Sequence, residues 1–346
     1  MSDNIRENLS EWETINLLKA GLGISEFPDR DYGEFLAKPA SAKVLLTTDG
    51  NKYKSNSGEP LEIWAYRIAN AAISDITLAA PDQKFVLIDL VCPTDSLGED
   101  LGAVANGLRR AFDENGVEIS NGCNLRRGSW SISITVVGVV GDAEKLVGRD
   151  SAKVGDIIYV SGPFGLYNYA IECLNQSVKQ IVPNEKIYQW LLGGLPSNSI
   201  TKVLQSVEGV TAVIDANDCI LKTVSDLAKA SSIGADLTSR EILKSIQKEG
   251  LSEIPVEVLI GHPSGDLRIV FAVGPDCCDS VIKQLRKVGA EPSRVGRLRP
   301  GKGVSLDGDY SVCDILNEKW SPSRAYKYPA KEVMNKFKKI GARTKR

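Results

Sequence analysis

Six aspartates stand at the ends of buried strands or at helix junctions: Asp31, Asp49, Asp75, Asp215, Asp218 and Asp266. Asp49 follows the apolar run AKVLLTT (residues 42–48), and Asp215 and Asp218 follow VTAVI (residues 210–214). A carboxylate at the rim of a buried strand stands where ligands are held, though each one singly also suits a turn or a cap. Several of them around one cleft bind magnesium, which takes oxygen ligands and shares them with phosphates. Uncompensated buried charge is expensive, so clustered carboxylates seldom serve structure alone. The rest of the reactive inventory narrows the chemistry. His262 is the single histidine and stands beside Pro263 as a turn residue, which argues against Ser-His, Cys-His and multi-histidine metal chemistry. The seven cysteines (92, 123, 173, 219, 277, 278 and 313) lack disulfide-framework spacing and read as free thiols in a reducing cytosol. Acid–base work, if any, falls to carboxylates, lysines or thiols. There is no G-x-x-x-x-G-K-[ST] loop and no G-x-G-x-x-G with an acidic residue at the right distance.

The elements that must position these residues follow from hydrophobic period. The centre of the chain runs from a β-branched strand (132–140) through a polar crossing (142–156) carrying Arg149, Lys153 and Gly155. A second strand (157–160), the turn Ser161-Gly162-Pro163-Phe164-Gly165 and a helix (167–174) follow. That order is how a chain leaves one domain and enters another. With 346 residues, two domains are expected, 1–146 and 147–310, followed by a basic, solvated tail at 311–346. The first half reads β, α, β, α, β, β, with helices over 60–73 and 95–115 and a turn at Asn121-Gly122-Cys123-Asn124. A short helix over 10–18 has capping-box spacing. Ser74-Asp75 falls at the end of helix 60–73, where negative charge is unfavourable by roughly 0.3–1 kcal/mol. A local conflict of this kind points towards function. The second half repeats the α/β rhythm: strands over 210–214, 256–260 and 267–273, and helices over 200–207, 219–231, 238–247 and 276–288. Net charge is −2, so nothing pulls the chain globally towards nucleic acid or membrane. No apolar run reaches the roughly 18 residues of a membrane helix, and the N-terminus lacks signal-peptide regions. A cytoplasmic protein is expected.

The motifs, taken in order, resemble those of the thiamine-monophosphate kinases. These belong to the superfamily of aminoimidazole-ribonucleotide synthetase, selenophosphate synthetase and the hydrogenase-maturation dehydratases. LLTTD (45–49) resembles the family's TTD strand end, and SDI (74–76) its SDIAAMG. GRDSAKVGD (148–156) and YVSGPFG (159–165) resemble RSGAKPGD and VTGPLG. IDANDCIL (214–221) resembles MDVSDGLL, the stretch from Gly265-Asp266 through Phe271 resembles GEDYELLF, and VGRLRPGKGV (295–304) resembles the family's IGRI stretch. The resemblance runs from about Lys43 to Ser305. It implies an α/β fold of two domains: a ferredoxin-like N-terminal one that dimerises and holds ATP near the subunit interface, and an α/β C-terminal one. It implies Mg2+ on Asp49, Asp75 and Asp218, with Asp31 and Asp215 as further matches, and Arg149 near the nucleotide. Asn121, Gly122 and Cys123 occupy the GGDT position, so a thiol replaces a metal-binding carboxylate. The GVHF and GYDHF motifs are missing; residues 50–58 are short and polar, and the region 320–328 replaces the second.

Three readings result. The first is an ATP- and magnesium-dependent phosphotransferase acting on a small, phosphorylated or unphosphorylated metabolite, with Asp218 and Asp49 at the chemistry and Arg149 or Lys153 on phosphate charge. The second is a synthetase that uses ATP to activate an oxygen for amide, amidine or dehydration chemistry; Cys123 motivates it, although a small apolar filler is the commoner role of such a residue. The third is a dimeric nucleotide-binding protein without catalysis. A homodimer with a small-molecule substrate and ATP, and without nucleic acid, is the expected set of partners.

Overall fold

The structure is a computed structural model and describes residues 33–36, 42–53, 59–96, 98–119, 124–141, 146–174, 180, 182–217, 219–246 and 266–309. The helix expected at 10–18, the strand at 256–260, His262 and the basic tail lie outside the described residues. So do Asp31, Asn121, Gly122, Cys123 and Asp218.

The first sheet is built on one long pairing. β2 (Ala42–Lys52) runs antiparallel to β6 (Ser131–Gly141) over its whole length, from Ala42↔Gly141 to Lys52↔Ser131. β6 in turn pairs with β3 (Gln83–Cys92). β1 (Gly33–Leu36) flanks β2, while β4 (Glu118–Ile119) and β5 (Asn124–Arg127) both add to β3 in parallel. Helices α1 (Leu61–Thr77) and α2 (Gly98–Glu114) bury their apolar stripes with the inward-facing residues of these strands, in one cluster that includes Trp64, Ile73, Phe112, Val86 and Ile134. The two helices approach closely because Gly107 has no side chain. A Cβ there would stand 2.1 Å from the carbonyl oxygen of Glu62.

Two boundaries differ from the sequence expectation. The strand expected to end at Thr48 continues to Lys52, so Asp49 and Gly50 lie inside the ladder instead of beyond it. Hydropathy stops at Thr48, but the hydrogen-bond ladder does not. Gly50 fits because a Cβ would lie 2.4 Å from the carbonyl oxygen of Ile132. Likewise α1 does not stop at Ile73. The hydroxyls of Ser74 and Thr77 donate back to the carbonyls of Ala71 and Ile73, which absorbs their polarity into the helix.

The second sheet has the order β12-β9-β11-β7-β10-β8. Its strands are β7 (Ile157–Val160), β8 (Val210–Ala216), β9 (Gly234–Leu237), β10 (Arg268–Val273), β11 (Ser293–Arg299) and β12 (Val304–Leu306). Period two decides its two faces. On β10, Val270 and Ala272 join a cluster with α3 (Leu166–Leu174), α4 (Asn184–Leu191), α6 (Ile220–Ala230) and α7 (Ser239–Ser245). Ile269, Phe271 and Val273 join the opposite cluster with α5 (Asn198–Ser206) and α8 (Cys278–Lys287). The short β5 and β9 carry no apolar run long enough to announce them, and neither was expected.

α1 belongs to both halves. Most of its side chains face the first sheet, yet Ile63 joins the cluster of α3 and α6, and Leu78, just past its end, joins that of α5 and α8. Ala65, Ala69 and Ala72 are fully buried in the first sheet's cluster, where small residues let the helix lie close to its neighbours. The polar crossing that leads into β7 is tied down by Asp156. This buried carboxylate accepts the Lys153 backbone N–H at 2.8 Å and the Thr211 hydroxyl at 2.6 Å, fastening the crossing to β8.

A candidate metal and nucleotide site at the seam of α1 and β8

α1 presents Ser74 and Asp75 at its C-terminal end, and β8 ends in Asp215 and Ala216, followed by Asn217. These segments meet. Asp215 Oδ2 lies 3.3 Å from Ser74 Oγ, as the longer branch of a hydroxyl whose one proton also points to the Ala71 carbonyl at 2.7 Å, and Asn217 Nδ2 donates to Ser74 Oγ at 2.8 Å. On the other flank the Thr47 hydroxyl of β2 donates to Asp75 Oδ2 at 2.8 Å. A carboxylate in the last turn of a helix opposes the negative end of the helix dipole. The Thr47 bond offsets part of that cost and aims the carboxyl. The structure therefore brings Asp75 and Asp215, 140 residues apart in sequence, to the two ends of a short polar chain.

Asp49 shares the α1-facing side of β2 with Thr47, two residues away. Burial pushes its carboxyl pKa up, while the backbone N–H of Gly50, at 2.6 Å, and the charge of Arg67 pull it down less strongly. Arg67 lies on α1 with its guanidinium 5.8 Å from the centre of the Tyr167 ring on α3, and it bonds Glu59 through Nε at 3.0 Å and through a second nitrogen at 3.2 Å. Behind Asp215 the space closes to a crevice of about 10 Å³ lined by Thr77, Pro196 and Arg268 among others, about the room of one water. Asp215 is thus backed by protein on that side.

Asp75 and Asp215 bring hard oxygen donors to the seam, and among the described residues Asn217 Oδ1 is buried with no hydrogen-bond partner, while no three carboxylates, thiols or imidazoles among them stand close enough to hold a metal ion by themselves. A buried amide oxygen left unpaired costs roughly 1–3 kcal/mol, which a bound cation or its water would relieve. Ser74, Thr47, Asn217 and Arg67 were not foreseen as site residues. Arg67 did carry a signal: it is the one charged residue between Glu62 and Asp75 in an otherwise apolar helix.

Other expected residues are placed differently. Asp266 is 3% exposed and accepts the backbone N–H groups of Gly165 and Tyr167, the latter at 2.9 Å. It caps the N-terminus of α3, so its charge is engaged there instead of with the rim aspartates. Arg149 is half-buried beside β8: the Gly148 carbonyl accepts Val213 N–H at 3.0 Å, and the Arg149 carbonyl accepts the Ser231 hydroxyl at 3.0 Å. Lys153 is exposed. Cys92, Cys173, Cys219, Cys277 and Cys278 stand outside any disulfide. Among the described residues no helix is long and apolar enough to cross a membrane.

Comparison with known proteins places this arrangement. No protein-family model matches the chain. It is 26% identical over 312 residues to the thiamine-monophosphate kinase of Aquifex aeolicus (strain VF5), covering 87% of this chain and 95% of that protein. It is 22% identical over 321 residues to the thiamine-monophosphate kinase of Nitrosopumilus maritimus (strain SCM1), covering 91% and 99%. Among solved structures, AaThiL complexed with AMPPCP and TMP superposes with a TM-score of 0.70 at 24% identity, over 87% of this chain and 94% of that one. E. coli HypE, a hydrogenase maturation protein, superposes with a TM-score of 0.59 at 18% identity, over 77% and 83%. The class is therefore the two-domain α/β fold that these kinases and HypE share. Within it the chain is similar in sequence to thiamine-monophosphate kinases along most of its length.

Proposed function

We propose that the protein is an ATP- and magnesium-dependent phosphotransferase acting on a small, phosphorylated metabolite. The observation that carries this reading is the Asp75–Ser74–Asp215 seam with its buried, unpartnered Asn217 oxygen. The similarity to thiamine-monophosphate kinases, one of them solved with AMPPCP, supports it. Asp49, Asp75 and Asp215, with Asp218 and Asp31, would hold the metal, and Arg149 would meet the nucleotide. Magnesium, when bound, supplies charge neutralisation at the phosphates. The chain's own task is then positioning. Ser74 and Asn217 hold the two carboxylate-bearing elements together, Thr47 aims Asp75, and Arg67 balances the buried Asp49. A phosphate acceptor, with a second pKa of about 6, is already ionised near pH 7 and needs no general base. A chain with one histidine suits such an acceptor.

We further propose that the division near residue 146 separates two domains and that the protein is a cytoplasmic homodimer. Among the described residues, the face of the first sheet opposite α1 and α2 carries Val44, Leu46, Phe85, Val137 and Val139 half-buried, and Leu87 is 45% exposed. A second copy of that face would cover it.

The test is a screen of ATP consumption against vitamin monophosphates and small nucleotides, with products read by mass spectrometry. The reading expects one acceptor to gain a phosphoryl group in step with ADP release. ATP turnover that yields only free phosphate and no phosphorylated product would sink it and favour oxygen activation for synthetase chemistry.

A further inference from the structure

We propose that Gln205 is a positioning residue which closes a ring of hydrogen bonds around the seam and sets the spacing of Asp75 and Asp215. The positioning role rests on reading the seam as the metal and nucleotide site. Gln205 lies on α5, outside the carboxylate cluster. Its Oε1 accepts the Val147 N–H at 2.7 Å, and its Nε2 donates to the Leu78 carbonyl at 2.7 Å and to the Val147 carbonyl at 3.2 Å. Leu78 stands just past α1, one turn beyond Ser74, and its carbonyl is among those a helix end leaves without an intrahelical partner. From Val147 the chain passes to Gly148, whose carbonyl accepts the Val213 N–H of β8 at 3.0 Å. Two residues on, Asp215 Oδ2 meets Ser74 Oγ at 3.3 Å, sharing the hydroxyl proton with the Ala71 carbonyl, and this longest link returns the path to α1.

Every link of this ring is either covalent backbone or a hydrogen bond between named groups. The ring cannot widen between α1 and β8 without breaking one of those bonds. Glutamine is suited to its place because the carboxamide offers two donors and an acceptor on one planar group. Glutamate would keep the acceptor for Val147 but face two carbonyls without a donor. Methionine would keep the shape and make none of the three bonds. α5 also contacts the turn after α1 outside the ring, through Asn198 Nδ2 to the Pro81 carbonyl at 3.1 Å and Lys202 to Asp82 at 3.0 Å. Asn198 therefore supplies a control on the same helix.

The experiment combines amide hydrogen exchange with calorimetric titration of AMPPCP in the presence of Mg2+, on the full chain. In Gln205→Met, exchange at Val147 and Val213 should accelerate at least about tenfold, while Val160 and Val270 in the middle of the sheet keep their rates. AMPPCP affinity should fall about tenfold in Gln205→Met and in Gln205→Glu, and stay within about twofold in Asn198→Ala. Unchanged exchange at Val147 and Val213 overturns the ring. Faster exchange with unchanged affinity overturns the positioning role and leaves Gln205 a structural residue. If the wild-type chain itself fails to bind AMPPCP with Mg2+, the proposed function and the positioning role fall together, and the ring is decided by exchange alone.

Discussion

Asp49 sets stability against function within one side chain. Burial raises its pKa, so between 3.8 and the folded value the native state holds a proton that the unfolded chain has lost. Stability then falls as pH rises through that window, and near neutral pH the whole cost of the buried charge is present. Asp49→Asn removes the charge and keeps an acceptor for the Gly50 N–H. The melting temperature without ligand should hold or rise, while turnover falls at least about 100-fold, as for a lost charge-assisted contact of about 3 kcal/mol. Calorimetry and the ATP assay read the two effects separately. Lys84 has the opposite charge and a similar predicament: it is 6% exposed on the inner face of β3, and burial lowers its pKa to about 8. Below about pH 8 both folded and unfolded states carry its proton and the cost is complete; between there and 10.5 only the unfolded state does, so stability recovers as pH rises. Lys84→Met should stabilise the protein at pH 7 by up to about 3 kcal/mol, with the gain shrinking above pH 8 in denaturant titrations. Asp266→Asn tests a different assignment. It should cost about 1 kcal/mol of stability through the α3 cap and leave Mg2+-dependent AMPPCP binding within a few-fold. A loss of metal dependence would return Asp266 to the rim cluster.

At the scale of elements, α1 does most of the organising. Its apolar spacing, its small residues and the misfit of Ser74-Asp75 at its end were all legible in the sequence, because helical period and dipole are local properties. Its length was not, since Ser74 and Thr77 continue the helix by bonding their own backbone. Nor was its double allegiance, which depends on what packs against it from far along the chain. Asp49 was legible as a carboxylate next to a buried strand, but not as part of the ladder, because register with β6 is a long-range fact. The same limit hid Thr47, Asn217 and Arg67, whose roles exist only once β2, α1, β8 and α3 are assembled. Asp266 looked like its companions for the opposite reason: a cap and a metal ligand are the same residue type at the same kind of junction. Gly107→Ala probes the α1–α2 contact directly. With a Cβ 2.1 Å from the Glu62 carbonyl the helices must separate, and the cost expected from overpacking is about 1–3 kcal/mol in equilibrium unfolding.

At the scale of the molecule, two sheets with separate cores meet along α1, and Asp75 and Asp215 stand where they meet. The α/β architecture could be read from the alternation of elements and from the ordered motifs, since both survive divergence. The acceptor could not, because residues 50–58 and 320–328 resemble no motif that would name one. The uncovered face of the first sheet belongs to this scale as well. Leu87→Arg should shift the protein from dimer to monomer in light scattering, and an unchanged mass would remove that face from the interface. Whether the seam between α1 and β8 binds a magnesium–nucleotide complex is read by calorimetric titration of AMPPCP with and without Mg2+. Binding should require Mg2+ and be lost in both Asp75→Asn and Asp215→Asn, one substitution on each side of the seam. Binding that ignores Mg2+, or that survives both substitutions unchanged, would contradict it.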